Sequence, residues 1–324
     1  KKKKGSNLIY FGPGVHNLPN DTLFVPSGTT VYIDGGARVY GNIFTEGAHD
    51  VNIFGRGEVH PDGRGAGVWV RRSKNVRIDG IVVSQLPIGQ CDSVELTNVK
   101  SISYYGWGDG MDVFSSSNVI LDGVFCRNSD DCAAVYASTQ GFKGGSNNVL
   151  VKNATLWADV AHPINIGGHG DPNGMDTVQN VTFRNIDILD QAEKQIDYQG
   201  CLAINPGDNT LVRNITFENI RIEDFRNGQL VNFRISFNPK YCVSTGRGIQ
   251  NVLVKDVTYN GSGENLSIIA GYDENHKISG IRFVNLVVNG RKITDDMPGK
   301  PKWYKTGDMA GIFVGEHVEN LSFE

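Results

Sequence analysis

One short pattern recurs along almost the whole sequence and limits the folds that are available to it. The pattern is Asn, an apolar residue, a variable residue and a second apolar residue, followed by a polar residue and another apolar pair. Apolar residues that alternate with polar ones at a period of two indicate short strands and argue against long helices. The pattern begins at Asn52, Asn75, Asn98, Asn118, Asn148, Asn180, Asn214, Asn251, Gly280 (where Gly takes the Asn place) and Asn320.

The spacing of the pattern indicates a coil of nearly constant size. Asn75 follows Asn52 by 23 residues, whereas Asn320 follows Gly280 by 40, and a spacing that grows from a short base value is typical of a coil with inserted loops. One coil cannot bury its apolar side chains alone, but stacked coils bury a continuous core. We therefore predict an all-β fold, a single-stranded right-handed parallel β-helix, whose hand follows the rule for parallel crossover connections.

The repeated Asn has a predicted structural role. Asn tolerates the left-handed backbone conformation that tight turns require. Because equivalent turns stack in a coil, its side chain is expected to hydrogen-bond to the Asn above and below.

The sequence predicts one domain. No stretch has linker composition, so we expect residues 5–324 to form a single β-helix. Lys1–Lys4 have no apolar segment after them and are expected to be a tail or tag rather than a signal peptide. The pattern stops within a repeat, so we expect the solenoid to continue beyond Glu324. The longest insertions, within 136–148, 167–180, 188–214 and 236–250, are expected to gather on one face and shape a groove.

Composition and charge exclude several classes of function. The net charge is -4 and the pI is about 6.0, so a basic face that binds nucleic acid is not expected. No apolar run is long enough to span a membrane. The five Cys lack the paired spacing of a zinc site, and their odd number leaves the redox compartment open.

Two clusters of carboxylates lie about one coil apart. Asp109 precedes Asp130 by 21 residues, and positions one coil apart stack at roughly 4.8 Å. Asp130 and Asp131 are neighbours, so the chain must bend there if both side chains face one cleft. Crowded carboxyl groups cannot all ionise easily, and one pKa should rise. Asp112, in the first cluster, is interpreted as structural.

This arrangement is suited to the cleavage of a glycosidic bond. A protonated carboxyl group can give its proton to the leaving oxygen while a second carboxylate activates water. We therefore predict catalysis by Asp130 as the general acid and by Asp109 and Asp131 as the base. A turn role would explain any one of these Asp residues alone, but it explains the whole constellation poorly.

The motif resembles that of the polygalacturonase family (glycoside hydrolase family 28). Gly108-Asp109-Gly110-Met111-Asp112 and Asp130-Asp131-Cys132 are similar to the family's Asn-Thr-Asp-Gly and Asp-Asp-Cys segments. His162-Pro163-Ile164-Asn165 resembles the segment with its active-site His, and Arg234-Ile235-Ser236 resembles its Arg-Ile-Lys motif. The sequence departs from the family at Trp107-Gly108, in place of Asn-Thr, and at Ser236, in place of the Lys that helps hold a galacturonate carboxylate.

The chain also resembles the dextranase and isopullulanase family (glycoside hydrolase family 49). The similar segments are Ile9–Val15, Arg234–Ser236 and Val288–Thr294. Both resemblances imply a pectin-lyase-like solenoid and an inverting hydrolase of α-linked polysaccharides, dextranase-like or polygalacturonase-like. They imply a polysaccharide or oligosaccharide substrate and no cofactor.

Five further residues are candidates for substrate binding. His162 is expected to tune the acid or to bind sugar hydroxyls, with a satisfied loop His as the alternative. Arg234 is expected to hydrogen-bond substrate oxygens, with a surface ion pair as the alternative. Trp107 and Trp157 flank the carboxylate segment and the His162 segment, and their aromatic faces could stack on a sugar ring. Core packing is the alternative. His169 lies in a Gly-rich loop. His162, His169 and Asp171 lack the spacing of metal ligands, and no metal site is predicted.

Two other functions remain open from the sequence. A polysaccharide lyase on the same fold would need a uronate substrate, a basic proton abstractor and usually Ca²⁺ held by carboxylates. A non-catalytic glycan-binding β-helix would leave the crowded Asp pair unexplained. The size of a polysaccharide substrate leads us to expect a secreted or periplasmic protein, and we expect a monomer.

Overall fold

The computed structural model describes residues 7–262 and 265–324, so the prediction for Lys1–Lys4 lies outside the described residues. The described strands are β1 (Asn7–Phe11), β2 (Gly14–Phe24), β3 (Thr29–Ile33), β4 (Ala37–Glu46), β5 (His49–Gly55), β6 (Glu58–His60), β7 (Val68–Arg71), β8 (Lys74–Asp79), β9 (Val82–Val83), β10 (Ile88–Gly89), β11 (Asp92–Thr97), β12 (Lys100–Ile102), β13 (Val113–Phe114), β14 (Ser117–Asp122), β15 (Phe125–Asn128), β16 (Ala133–Tyr136), β17 (Ser146–Ala158), β18 (Ile164–Ile166), β19 (Thr177–Asp190), β20 (Gly200–Ile204), β21 (Leu211–Ile222), β22 (Gln229–Arg234), β23 (Gly248–Tyr259), β24 (Ser267–Ala270), β25 (Lys277–Val288), β26 (Arg291–Ile293), β27 (Ile312–Val314) and β28 (Val318–Phe323). A 3₁₀ turn covers Ile196–Tyr198, and a short helix, α1, covers Thr306–Met309.

The strands stack in three parallel columns, as a right-handed parallel β-helix requires, and the predicted fold is confirmed. One column runs from β1 through β3, β5, β8, β11 and β14 to β28. A second contains β6, β9, β12 and β15. The third, called the site sheet below, contains β7, β10, β13, β16, β18, β20, β22, β24 and β27. None of the helices in the described part of the chain could span a lipid bilayer.

The register corrects two of the predicted coil positions. Val94 pairs with Val76 on one side and with Val119 on the other, so Ser93 occupies the position equivalent to Asn75. Asn98 lies at the next corner of the coil. Val51 pairs with Val76, so Asp50 rather than Asn52 begins the first pattern. A period-two pattern looks alike at two corners of one coil, and the sequence alone does not separate them.

The core lies inside the coil and consists of the inward members of each strand. Alternate residues of β19, including Val181, Phe183 and Ile186, are fully buried. Aromatic rings stack inside the coil: the ring centroid of Phe217 lies 5.9 Å from that of Phe183 on the preceding coil and 6.0 Å from that of Phe233 on β22. Burial of each such side chain contributes about 1.5–3 kcal/mol.

The Asn ladders are confirmed. Asn148, Asn180 and Asn214 have φ values between 55° and 56°, in the left-handed region. The Nδ2 of Asn148 donates to the Oδ1 of Asn118 at 2.7 Å, and the Nδ2 of Asn214 donates to the Oδ1 of Asn180 at 3.1 Å. These bonds join successive coils at one corner.

The parallel direction of the strands gives the site sheet two distinct edges. Segments that precede its strands meet at one edge, called the entry edge, and segments that follow its strands meet at the other, called the exit edge. Asp109, Asp130, Asp131 and His162 precede β13, β16 and β18, so all of them lie at the entry edge. The insertions 137–145 and 235–247 follow β16 and β22 and lie at the exit edge.

Candidate active site

A cavity of about 520 Å³ opens on the outer face of the site sheet. The segments at the entry edge form one wall, and the insertions at the exit edge form the other. Its lining comprises Trp107, Asp109, Asp112, Phe114, Asp130, Asp131, Tyr136, Thr139, Gln140, Val160, Ala161, His162, Asn165, Gly168, His169, Glu193, Gln195, Tyr198 and Tyr241.

A larger depression of about 600 Å³ lies elsewhere, over the column that contains β19, β21 and β23. Its lining is mostly Asn, Thr and aliphatic residues of the ladder corner, and Arg282 is the charged residue in it. Its described lining holds no carboxylate, so of these two cavities the smaller one is the candidate for the predicted acid–base chemistry.

The coil stack brings the three predicted catalytic carboxylates together. One carboxylate oxygen from each of Asp109, Asp130 and Asp131 lies within 4.8 Å of the other two. The N–H of Gly110 donates to the carbonyl of Asp131 at 2.7 Å, which fixes one coil against the next. Gly110 is required here because a Cβ would lie 2.2 Å from the carbonyl oxygen of Cys132.

Asp131 is buried and is surrounded by hydrogen-bond donors. The hydroxyl of Tyr136 donates to Oδ2 at 2.7 Å, and the Nδ2 of Asn165 donates to the same oxygen at 2.8 Å. The Nδ1 of His162 lies 2.6 Å from Oδ1, and the backbone N–H of His162 donates to it at 3.2 Å. Burial raises the pKa of Asp131, but the His162 charge and these bonds outweigh burial and lower it to about 2.

His162 is fixed between two acceptors. Its Nδ1 faces Asp131, and its Nε2 faces the carbonyl oxygen of Tyr198. A ring that donates from both nitrogens is a cation. Burial lowers the pKa of His162, but the Asp131 carboxylate raises it to about 9. Neither nitrogen is left for a sugar hydroxyl, so of the two predicted roles the geometry supports tuning of the carboxylates.

Asp130 and Asp109 hold protons more tightly than ordinary carboxyl groups. Burial and the neighbouring Asp131 charge raise the pKa of Asp130 to about 7. Burial, Asp131 and Asp130 raise the pKa of Asp109 well above its usual value. The trio therefore keeps one fixed charge on Asp131 and shares protons between the other two. Asp112, buried below them, has its pKa raised by burial and by Asp109, and it accepts a bond from the N–H of Ala134.

Two of the predicted substrate-binding residues line the cavity with free ring surface. Trp107 is 79% exposed and adopts a left-handed φ of 58°, which turns it outward at the mouth. His169 sets its ring edge against Tyr136, with centroids 5.1 Å apart. Burial lowers the pKa of His169, so its ring is neutral and can donate or accept a hydrogen bond.

The structure does not bring the other two predicted residues to the cavity. Trp157 lies on β17 under the guanidinium of Arg127, whose Cζ is 4.2 Å from the ring centroid. Arg234 donates from Nη1 to Oδ1 of Asp197 at 2.6 Å. For Trp157, proximity in sequence to His162 is misleading because β17 belongs to other columns of the coil. For Arg234, the ion-pair alternative is the one that the structure supports.

Sequence reasoning missed several residues of the cavity wall, among them Glu193, Gln195, Tyr198 and Tyr241. All four lie in insertions, where no repeat pattern assigns a position. Glu193 is only 5% exposed and accepts the backbone N–H of Gln195 at 2.6 Å. Glu is seldom buried without a specific role, but the burial of Glu193 is visible only in the structure and gives no signal in the sequence.

Comparison with known proteins shows the family of the chain. The model of the family described as glycosyl hydrolases family 28 matches residues 66–297. The chain belongs to glycoside hydrolase family 28. The Asp109, Asp130, Asp131 and His162 segments all lie within the matched range, and the predicted resemblance to this family is confirmed.

Relatives in family 28 are distant in sequence. A polygalacturonase of Juniperus ashei is 26% identical over 216 residues, which cover 64% of this chain and 39% of that protein. A probable endopolygalacturonase D of Emericella nidulans is 26% identical over 311 residues, which cover 86% of this chain and 55% of that protein. The chain thus spans about two fifths to just over half of the length of these relatives.

Solved structures agree on the fold. The family 28 exopolygalacturonase of Yersinia enterocolitica superposes with a TM-score of 0.68 at 13% identity, over 99% of this chain and 73% of that one. At that identity the similarity establishes the shared β-helix.

Proposed function

We propose that this chain is the catalytic part of a polysaccharide hydrolase that cleaves α-glycosidic bonds by aspartate acid–base catalysis. The observation that carries the proposal is the trio of Asp109, Asp130 and Asp131, whose carboxylate oxygens lie within 4.8 Å of one another in a cavity open to solvent. Membership of family 28 and the relatives named polygalacturonase support it.

The pKa values support a division of roles within the trio. Asp130, with a pKa raised to about 7, is the general acid that protonates the leaving oxygen. Asp131 is ionised and helps to hold the attacking water, and Asp109 takes the proton of that water in the form of the enzyme in which the Asp109 carboxyl group is deprotonated. His162 keeps Asp131 ionised and oriented through the 2.6 Å contact at Nδ1.

We propose inversion at the anomeric carbon. The oxygens of the trio are closer than the roughly 6.5–9.5 Å between carboxyl groups of most inverting enzymes. Asp131, however, receives bonds from Tyr136, Asn165 and His162, which leave it poorly placed as a nucleophile. Proton NMR of the first product anomer tests this step. Retention of configuration would contradict inversion and assign a covalent role to a carboxylate.

Two substrate classes compete, and different observations favour each. A polygalacturonan is favoured by the family and by Lys240, whose Nζ lies 3.4 Å from Oε1 of the wall residue Gln195. A neutral α-glucan such as dextran is favoured because the described cavity lining holds no Lys or Arg, and Ser236 stands at the motif's Lys position.

Reducing-sugar release from polygalacturonate, dextran and pullulan tests the function. We expect release from one of them by the wild-type chain, and a loss of about 10²–10⁴-fold with Asp130→Asn, because general acid catalysis contributes about that much. The matched control, Asp122→Asn, changes a carboxylate at a ladder corner. Unchanged turnover in Asp130→Asn would refute the acid assignment.

The same assay separates hydrolysis from the lyase and calcium alternatives. The acidic trio has the oxygen ligands that Ca²⁺ prefers. We expect full activity with excess EDTA and products without ultraviolet absorbance. Absorbance that grows with cleavage, or activity that EDTA abolishes and Ca²⁺ restores, would favour the lyase. Lys240→Ala should raise KM for polygalacturonate and leave dextran hydrolysis unaffected.

A location outside the cytoplasm follows from the size of such substrates and remains part of the proposal.

A further inference from the structure

We infer that the cavity admits only the end of a polysaccharide chain, so that the enzyme is exo-acting and removes short units from a terminus. This inference rests on the proposed hydrolase function. Its physical basis is that the cavity is closed at both of its ends along the coil axis.

The first end is closed by an aromatic ring that lies on the floor of the site sheet. Phe142, from the insertion after β16, folds back over β10, where a Cβ on Gly89 would lie 2.3 Å from the ring. The ring stacks on Phe114 at a centroid distance of 6.2 Å and abuts Trp69 at 6.3 Å. Phe142 is 2% exposed, so it fills this part of the floor rather than lying loosely on it.

The closing insertion is held in place on both sides. The Nη2 of Arg72 donates to the carbonyl of Gly141 at 3.4 Å, and the Arg72 Cζ lies 4.9 Å from the Phe142 centroid. The N–H of Lys143 donates to Oε1 of Gln90 at 3.4 Å. A polysaccharide that followed the sheet toward β7 would have to displace this packed ring.

The second end is closed by a bridge across the width of the site sheet. Gln195 and Tyr198 precede β20 at the entry edge, whereas Lys240 and Tyr241 follow β22 at the exit edge. The Tyr241 hydroxyl donates to Oε1 of Gln195 at 2.9 Å, and its ring meets the Tyr198 ring edge-on at 5.6 Å. A strand of five residues spans about 16 Å, so these contacts cross the groove rather than line one side of it.

Ion pairing supports the bridge from below. Arg234, at the exit end of β22, donates to Asp197 at 2.6 Å, which pins the 3₁₀ turn that carries Tyr198. The role of Arg234 is therefore to position the bridge.

The remaining opening faces solvent, away from the coil axis. Trp107 and Val160, 79% and 52% exposed, stand at its entry side, and Gln140 stands at its exit side. A chain that enters here can reach Asp130 only with one end in the cavity, because both routes along the sheet are blocked. The cavity volume of about 520 Å³ lies within the usual range of ligand-binding sites, so the end of a sugar chain can fit in it.

The course of cleavage tests the inference with polygalacturonate, dextran and pullulan as the probes. On the polymer that the wild-type chain hydrolyses, we expect one short product from the first time points and little loss of viscosity when a tenth of the bonds are cut. An early ladder of intermediate lengths with a steep loss of viscosity would overturn the inference and leave the hydrolase function intact. No release from any polymer would overturn the hydrolase function and the inference together.

A variant that opens the bridge provides a second test. In Gln195→Ala/Tyr241→Ala we expect at least a several-fold larger loss of viscosity per bond cleaved, because interior segments can then enter. Tyr304→Ala, which removes a tyrosine 45% exposed outside the cavity lining, should keep the wild-type ratio. Circular dichroism checks that both variants are folded. A folded double variant with an unchanged ratio would contradict the role of the bridge.

Discussion

The Asp131 carboxylate keeps its charge in a buried position because a cation and several hydrogen-bond donors surround it. The fixed charge makes ionisation of the neighbouring carboxyl groups less favourable. Asp130 and Asp109 lie within 4.8 Å of the fixed charge, and a second or third negative charge there is unfavourable. The charge on Asp131 thus helps to keep Asp130, the proposed general acid, protonated.

This electrostatic coupling predicts an alkaline limit near neutrality. The pKa of Asp130 is raised to about 7, so the acid is protonated below that pH and lost above it. We expect kcat/KM to fall above about pH 7. The buried Glu193 carboxylate also raises the pKa of Asp130, so Glu193→Gln should move the alkaline limb to lower pH. A limb that stays in place in Glu193→Gln would contradict the coupling.

The Asp131–His162 pair predicts a pH-dependent contribution to stability. The pKa of Asp131 is lowered to about 2, so its contribution is complete above its unfolded value of 3.8 and is lost as pH falls through about 2. The pKa of His162 is raised to about 9, so its contribution is complete below 6.5 and is lost as pH rises through about 9. The pair therefore stabilises most between about pH 4 and 6.5.

His162→Gln tests this window by urea unfolding. We expect a loss of about 3–5 kcal/mol in the free energy of unfolding at pH 5, because a buried charge loses its partner. The loss should shrink toward pH 9.5. His276→Gln removes a partly exposed His that pairs with Asp273 at 2.7 Å, and it should cost less than about 1 kcal/mol. An equal loss at both pH values for His162→Gln would contradict the assigned charge.

Much of the site at this scale could be predicted from the sequence. Asp109 and Asp130 were within reach because their separation equals one coil, and coil spacing is a property of the repeat. Glu193 and Tyr241 were not, since contacts between two insertions depend on how each loop folds. Trp157 misled because nearness along the chain is not nearness across a coil.

At the scale of single elements, the corners and the stacked strands require different properties of their residues. A corner residue must adopt a left-handed φ and satisfy polar groups, whereas an inward strand residue must fill the coil. The sequence shows both demands as Asn and alternating apolar residues. It does not show which corner an Asn occupies, as Asn98 and Ser93 demonstrate.

Substitution of a corner Asn separates backbone strain from the ladder. Asn180 has a φ of 56°, and its Nδ2 donates to Oδ1 of Asn147 at 2.8 Å. Asn180→Ala should lower the free energy of unfolding by about 1–2 kcal/mol through strain, in addition to the lost bonds. Asn180→Gly loses the bonds without the strain and should cost less. If thermal unfolding gives the two variants equal stability, strain is not the main contribution.

Substitution inside the coil should cost more. Phe217 is fully buried between Phe183 and Phe233, and Phe217→Ala should lower the free energy of unfolding by about 3–5 kcal/mol. Phe313→Ala, at a ring 54% exposed, is the control and should cost little. Urea unfolding of both variants measures the difference. Similar costs would mean that the inner stack is not a close-packed core.

At the scale of the whole molecule, the coil follows from the repeated sequence pattern, whereas the site depends on insertions. The coil is repetitive, so its strands, its parallel direction and its core follow from the pattern. The cavity is assembled from insertions that leave different coils, and its closed shape comes from contacts such as Gln195–Tyr241 and Gly89–Phe142. No periodicity in the sequence encodes those contacts, so the inferred action on chain ends could be argued only from the structure.

The bridge over the site sheet has a consequence for how such enzymes diversify. Its two halves are surface insertions that leave the stacked strands beneath them intact, so evolution can lengthen or trim them with little penalty to folding. Loss of Tyr241 and its flanking loop would turn a terminus-trimming enzyme into one that cuts in mid-polymer, while the acid trio stayed untouched. The same β-helix would thereby permit cleavage at chain ends or within the chain, depending on whether the bridge is present.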